Sequence, residues 1–185
     1  MQSVSAIVPA AGLSTRFCGP NKLLQPWGET NVVGAVVQSL LDCGLDVIVV
    51  TGRDAGQVED AVQPAQSVFN PKFKSGLGSS IACGVANAPE GGYLIALGDM
   101  PGIGPDVVRT LLEAYGHADS DAIIAPVYGD EPDRIGHPVL FGCSYRKELI
   151  ELTGDEGARS VIESAYQKLV RISVPGSLPD FDTPE

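Results

Sequence analysis

Basic residues are scarce: 12 Lys and Arg stand against 23 Asp and Glu in 185 residues, a formal net charge of −11. Nucleic acid and anionic membranes are bound through a basic face that releases counterions, so this balance argues against nonspecific binding to either. It leaves room for a small polyanionic ligand, because a metal ion and a few lysines reverse the field locally. The deficit is uneven: residues 1–80 carry 5 basic and 6 acidic side chains, residues 81–185 carry 7 and 17. Charged residues of both signs make up only 19% and hydrophobic residues 44%, which excludes a disordered chain and a coiled coil. No apolar run approaches the length of about 20 residues that spans a bilayer. Met1-Gln2-Ser3 leads into an apolar run without a basic stretch, so a cytoplasmic protein is expected rather than a secreted one. Cys18, Cys43, Cys83 and Cys143 form no C-x-x-C pair and no Cys/His cluster, so they read as reduced thiols rather than a zinc site or disulfide framework. Neither G-x-x-x-x-G-K-[ST] nor G-x-G-x-x-G is present, which removes the P-loop and the main support for a dinucleotide oxidoreductase. Without an internal repeat or a composition break, one domain is expected over residues 1–185.

What is present alternates between two patterns. Short β-branched runs predict buried strands at Ser5–Val8, Val47–Val50, Tyr93–Leu97, Ala122–Ala125 and Val170–Val174, with a further short strand at Val139–Phe141. Between them, Val33, Val36, Val37 and Leu40 form a helical stripe. Val107, Val108, Leu111, Leu112 and Tyr115 form another, with Pro105 placed for its first turn. Ile81–Ala88 and Ala158–Leu169 show weaker helical patterns, and Tyr128–Arg134 reads as a surface loop. Alternating strands and helices predict an α/β fold with a mostly parallel sheet, whose ligands bind outside the carboxyl ends of the strands.

Chemistry is therefore sought just after the strands. Ala10, Ala11 and Gly12 let a ligand approach the backbone closely, and Arg16 and Lys22 supply a fork and a point charge suited to phosphate oxygens. The plainer alternative is a glycine turn with two surface cations. Asp99, in Gly98-Asp99-Met100-Pro101, stands where a hard divalent cation can be held by one carboxylate with water and phosphate oxygens; otherwise it caps the helix near Pro105. Asp180-Phe181-Asp182 offers a further carboxylate, or simply an acidic tail. Ser75–Ser80 forms a second small-residue loop opening a helix, with Lys72 and Lys74 nearby. Gly136-His137-Pro138 sets one of only two histidines beside a predicted strand, where a structural His fits as well as a catalytic one.

In order, P-A-A-G-L-S-T-R-F with Lys22, S-G-L-G-S-S, L-G-D-M-P, G-H-P-V-L-F, G-D-E-G-A-R and D-F-D-T-P-E resemble the MobA-like nucleotidyltransferase family, and within it the molybdenum cofactor cytidylyltransferase branch. The resemblance runs from Val4 to Glu185. It implies a three-layer α/β/α sandwich of the nucleotide-diphospho-sugar-transferase, Rossmann-like type. It also implies transfer of a nucleotidyl group from an NTP, with Mg²⁺, to a phosphate monoester of the molybdopterin type, with release of pyrophosphate. Carried over by position, Ala10, Ala11 and Gly12 contact base and sugar, and Arg16 and Lys22 hold the triphosphate. Gly78 and Ser79 lie near base and ribose, Asp99 and Asp182 hold Mg²⁺, and Gly136 with His137 lines the acceptor pocket. The guanylyltransferase branch opens with L-A-G-G; here Ala11 precedes a single glycine and Leu13, which favours CTP. The family's Arg-Met-Gly is replaced by Arg16-Phe17-Cys18-Gly19. Alternatives are GTP with molybdopterin, a sugar or polyol phosphate as acceptor, or a noncatalytic partner that delivers a molybdopterin nucleotide to a molybdoenzyme client.

Overall fold

Strand β1 (Val4–Pro9) shows why the chain layers as it does: Ala6 and Val8 pack into one hydrophobic cluster and Ile7 into another. A strand whose side chains alternate between two buried faces needs a helix layer on each. The structure is a computed structural model that describes residues 3–12, 21–129 and 134–176. After β1, a 3₁₀ turn at Lys22–Leu24 leads to the two-residue strands β2 (Pro26–Trp27) and β3 (Thr30–Asn31), which pair antiparallel. Helix α1 (Val32–Leu41) follows, then β4 (Asp46–Thr51), α2 (Ala55–Ala61), β5 (Gln66–Phe69), α3 (Leu77–Asn87) and β6 (Gly92–Ile95). The remainder is α4 (Pro105–Gly116), β7 (Ile123–Tyr128), β8 (Val139–Phe141), α5 (Arg146–Ile150), α6 (Arg159–Ser164) and β9 (Leu169–Val174).

Among the described residues the main sheet has the order β5-β4-β1-β6-β8-β7-β9. Every neighbour pair is parallel except those of β8, which runs antiparallel to both β6 and β7. One face is covered by α1, α2 and α4 through Val33, Val36, Val58, Val108 and Leu111; the other by α3, α5 and α6 through Ile81, Val85, Leu149 and Val161. The helix starts follow their sequence signals. Asn31 Oδ1 accepts from Gly34 N at 2.8 Å to cap α1, and Pro105 occupies the first turn of α4 behind Gly104. Asp99 is thus not the cap of α4. Gly84 brings α3 down onto the sheet: a Cβ there would meet Ile7 Cγ2, and would lie 2.9 Å from Val50 Cγ2.

The expected strands are all present. Elements that the patterns did not announce are β5, α2, α5 and the β2–β3 pair. Each is short or half-exposed: α2 buries only Val58, and β5 has an exposed residue at each end. The Ala158–Leu169 pattern resolves into α6 and a separate 3₁₀ turn at Tyr166–Lys168 before β9 begins.

Candidate functional site

The carboxyl ends of β1, β4 and β6 lie side by side, so the loops that follow them converge. After β1 the chain stays packed for two residues: Ala10 donates to Val50 O at 2.8 Å, and Ala10 and Ala11 are buried. It then emerges at Gly12, which is exposed and has nothing within 4 Å of where a Cβ would stand. Gly52, after β4, fits against this loop for want of a side chain, since a Cβ would lie 2.8 Å from Ala11 Cβ and 2.6 Å from Phe73 Cβ. Gly98, after β6, donates to Pro9 O at 3.4 Å. Small residues, Ala11 and Gly98 read from the sequence and Gly52 not, are thus what lets three loops share one end of the sheet.

Two charged side chains meet there. Lys22 Nζ donates to Asp99 Oδ2 at 3.3 Å across 77 residues of sequence. The lysine side chain is 14% exposed and the aspartate 41%, so the cation is sheltered while the carboxylate keeps an open side. A half-exposed pair of this kind contributes little stability, about 1 kcal/mol or less. Its chemical content is that a cation and a hard oxygen donor face one space. Among the described residues no three His, Cys, Asp or Glu gather to enclose a metal. A single open carboxylate suits Mg²⁺ or a similar ion, whose other positions are filled by water and phosphate oxygens. Arg16 and Asp182 lie outside the described residues.

Lys22 is positioned by residues that the motif reading passed over. Asn21 is buried; its Oδ1 accepts from Leu23 N at 3.0 Å and its Nδ2 donates to Asp54 Oδ2 at 3.2 Å. Asp54 holds a left-handed conformation (φ 57°), uncommon for a side-chain-bearing residue but tolerated by Asp, and pairs with Arg53 at 3.3 Å. Asp54 stands just past the carboxyl end of β4, so the rule that located Asp99 would have found it had it been applied to every strand.

The second small-residue loop is built differently from its expectation. Gly78 lies flush with the backbone of Thr153, whose O would be 2.7 Å from an added Cβ, and donates to Gly154 O at 2.8 Å. The Ser79 hydroxyl is turned inward, reaching Gly76 O at 2.9 Å and Lys72 O at 3.0 Å while accepting from Asn70 Nδ2 at 3.0 Å. What Ser79 has to offer a ligand is therefore main chain, not hydroxyl. Asn70, directly after the unforeseen β5, organises this loop by also donating to Ser80 Oγ at 3.2 Å and accepting from Lys72 N at 2.9 Å.

Gly136 and His137 lead into β8. Gly136 donates to Pro126 O at 2.8 Å, and Tyr128 Oη donates to His137 O at 2.8 Å. Burial pushes Tyr128 up to about 12, so it remains a donor at every physiological pH. Burial also holds the His137 imidazole below its ordinary value, opposed by a hydrogen bond to the Ile95 backbone and by the Asp99 charge. His137 thus sits within electrostatic reach of Asp99. It lines a cavity of about 590 Å³ that also touches Leu97, two residues before Asp99. A second cavity, about 520 Å³, adjoins Gly91 and Tyr93 at the amino end of β6, away from these groups.

Comparison with known proteins accords with this arrangement. The chain is 31% identical over 98% of its length to nicotine blue oxidoreductase of Paenarthrobacter nicotinovorans, covering 93% of that protein. In structure it is similar to Rv0371c from Mycobacterium tuberculosis H37Rv, with TM-score 0.82 and 27% identity over 98% of this chain and 93% of that one. Rv0371c has also been solved as a complex with manganese (TM-score 0.78). A nucleotidyl transferase from Methanothermobacter thermautotroptrophicus matches with TM-score 0.78 and 29% identity over 96% of this chain and 88% of that one. These neighbours share the Rossmann-like, nucleotide-diphospho-sugar-transferase fold. The model of the MobA-like NTP transferase domain matches residues 6–170, which takes in the loops after β1 and β6 and the approach to β8, and the chain belongs to that family.

Proposed function

We propose that the protein transfers a nucleoside monophosphate from an NTP, CTP by preference, to the phosphate monoester of a molybdopterin-type acceptor, releasing pyrophosphate. The observation that carries this reading is the 3.3 Å approach of Lys22 to Asp99 at the carboxyl ends of β1 and β6. A cation on the first loop and a carboxylate on a later one are what a triphosphate with a bound divalent ion requires. The preference for CTP rests on Ala11-Gly12-Leu13 in the first loop. Ala10, Ala11 and Gly12 present their backbone to base and sugar, with the main chain at Gly78 and Ser79 near the ribose; Lys22 and Arg16 take the phosphates.

In this mechanism an acceptor phosphate oxygen attacks the α-phosphorus in line and pyrophosphate leaves, so no enzyme nucleophile is needed. Lys22 neutralises charge that builds on the α-phosphoryl and leaving group, and its sheltered position makes that charge effective. Asp99, with Asp182, would hold Mg²⁺, and the ion would supply neutralising charge to the phosphates. The manganese complex of Rv0371c is in keeping with a divalent ion here. Gly136 and His137 line the acceptor side. The product would pass to a molybdoenzyme client.

The test is pyrophosphate release from CTP, GTP, UTP and ATP with Mg²⁺ and a molybdopterin acceptor. Release with CTP foremost supports the proposal, and release with GTP alone would shift it to guanylyl transfer. Turnover with a sugar or polyol phosphate would replace the acceptor. Binding of a molybdopterin nucleotide without turnover would make the protein a delivery partner. A second reading has its own observation, the 31% identity to nicotine blue oxidoreductase over 98% of the chain. That reading predicts a redox change of nicotine blue in the presence of the protein and an added electron donor, read as a change in its absorption, and lack of such a change removes it.

A further inference from the structure

The two edges of the main sheet are finished differently. At one edge β5 is four residues long and is followed at once by Asn70-Pro71. At the other, β9 pairs with β7 over six consecutive positions, from Ile123 with Leu169 to Tyr128 with Val174, without a bulge. Among the described residues no strand or turn hydrogen-bonds its outer side. An edge strand presents a row of unpaired N–H and C=O groups, which sheets protect by proline, outward charge, bulges or shortness. Leu169–Val174 has no proline, and its one charged residue is Arg171.

The charges beside this edge are drawn back onto their own chain. Arg171 Nη2 donates to Tyr166 Oη at 2.7 Å, with the guanidinium over the Tyr166 ring at 5.1 Å. Lys168 Nζ reaches Asp121 Oδ2 at 2.7 Å. Large apolar side chains remain in the open: Val170 is 41% exposed and Tyr166 59%. Side chains alternate along a strand, so Val170, Ile172 and Val174 form one row, on the face where Ile172 packs against the cluster under α1, α2 and α4. Arg171 and Ser173 lie on the other face.

That row complements itself. In an antiparallel pair of β9 strands centred on Ile172, Ile172 faces Ile172 of the second copy and Val170 faces its Val174. On the other face Arg171 stands opposite Ser173, so no like charges meet. Centring on Arg171 would oppose two guanidinium groups, and centring on Val170 would set Lys168 against Ile172. Cross-strand β-branched pairs are favourable and directly opposed like charges are not, so the register centred on Ile172 is selected. The edge calls for a partner strand with a β-branched row and no facing cation, and a second copy of the chain brings one.

We propose that the β9 edge is a self-association surface, on which two copies pair β9 antiparallel about a twofold axis at Ile172 and join their sheets. The contact is one strand against one strand, at the small end of specific interfaces, so the dimer is weak, with a Kd on the order of 10 μM. Each copy carries −11, and this mutual repulsion opposes pairing. Salt screens it and tightens the dimer. Nothing in the pairing draws on the nucleotidyl-transfer reading.

Sedimentation velocity of the full chain, from about 1 to about 200 μM, tests the surface. Wild type should shift from monomer to dimer with concentration, and more readily at about 0.5 M salt than at about 0.05 M. Val170→Lys should abolish the shift. Ser173→Glu, opposite Arg171 of the second copy, should tighten the dimer about threefold, and Ser173→Lys should weaken it by as much. Val170 and Ser173 are exposed, so these variants keep the fold, which thermal unfolding checks. Phe69→Lys, on the opposite edge, should leave the dimer unchanged. A monomer at every concentration and salt leaves the edge to another occupant and overturns the proposal. So does a dimer that survives Val170→Lys, one lost in Phe69→Lys, or equal affinity in the two Ser173 variants. A dimer that loosens as salt rises overturns the apolar row as its basis.

Discussion

Lys22 and Asp99 show how differently two charged side chains can act at one distance. The lysine is mostly sheltered, so its charge is poorly screened, whereas the aspartate keeps open access to solvent and ions. On the proposed function, Lys22→Ala removes transition-state charge stabilisation of about 3 kcal/mol, roughly 100-fold in rate, by analogy with other electrostatic donors. Pyrophosphate release at the wild-type rate would remove the role assigned to it. Asp99→Asn should instead raise the Mg²⁺ concentration needed for half-maximal activity, read by metal titration; an unchanged titration curve counts against metal binding there. His137 gives a prediction about stability. Its value in the fold is held below the ordinary one, so the unfolded chain binds the proton more readily. Stability attached to His137 is therefore present above about pH 6.5 and is lost as pH falls through the folded value. Urea unfolding between pH 5 and 8 should show a shallower acid-side loss in His137→Gln than in wild type. Of these residues, Lys22, Asp99 and His137 could be read from the sequence because each follows or precedes a strand in a small-residue loop. Asp54, just past β4, was open to the same rule; Asn21 and Asn70 were not, because their significance lies in the hydrogen bonds they make once the chain has folded.

At the scale of elements, the 3₁₀ turn carrying Lys22 is fastened by the buried Asn21 to the loop after β4, at Asp54 Oδ2 3.2 Å away. Asn21→Asp should keep the cap on Leu23 N yet oppose two carboxylates, and cost activity about tenfold, or 1.4 kcal/mol. Adding Asp54→Asn restores a donor and acceptor and should recover most of that loss, in kcat more than in KM. Failure of the double variant to recover would mean that the fastening does not position Lys22. Helix α3 depends on the lack of a side chain at Gly84, where even a Cβ crowds Ile7 and Val50. Gly84→Val should destabilise by about 1–3 kcal/mol through overpacking, measured by chemical unfolding. Helices α1 and α4 were legible because each buries a continuous stripe, with Pro105 marking the start of α4. Elements α2 and β5 were not: one buries a single valine and the other is an edge strand, so neither imposes a period on the sequence.

For the whole molecule, the proposed function reconciles the acidic balance with nucleotide chemistry by position in the sequence. The near-neutral first 80 residues supply Lys22 and Arg16, and Asp99 and Asp182 come from the acidic remainder. CTP with Mg²⁺ at about 100 times its Kd should add roughly 2.7 kcal/mol of stability, a rise in Tm of several degrees. CTP without Mg²⁺ should do less, and a larger shift with GTP than with CTP would reverse the nucleotide preference. The sequence by itself determined the α/β alternation, the dominance of parallel pairing and the loops where charged and small residues gather. These are local: apolar period and turn chemistry act within a few residues of each other. Only the tertiary structure decided that β8 runs antiparallel between β6 and β7, that Ser79 turns its hydroxyl inward, and that Arg171 shares a cavity with His137. Register between strands far apart in the chain sets those relations, and register is fixed by how whole faces pack rather than by any one segment's pattern.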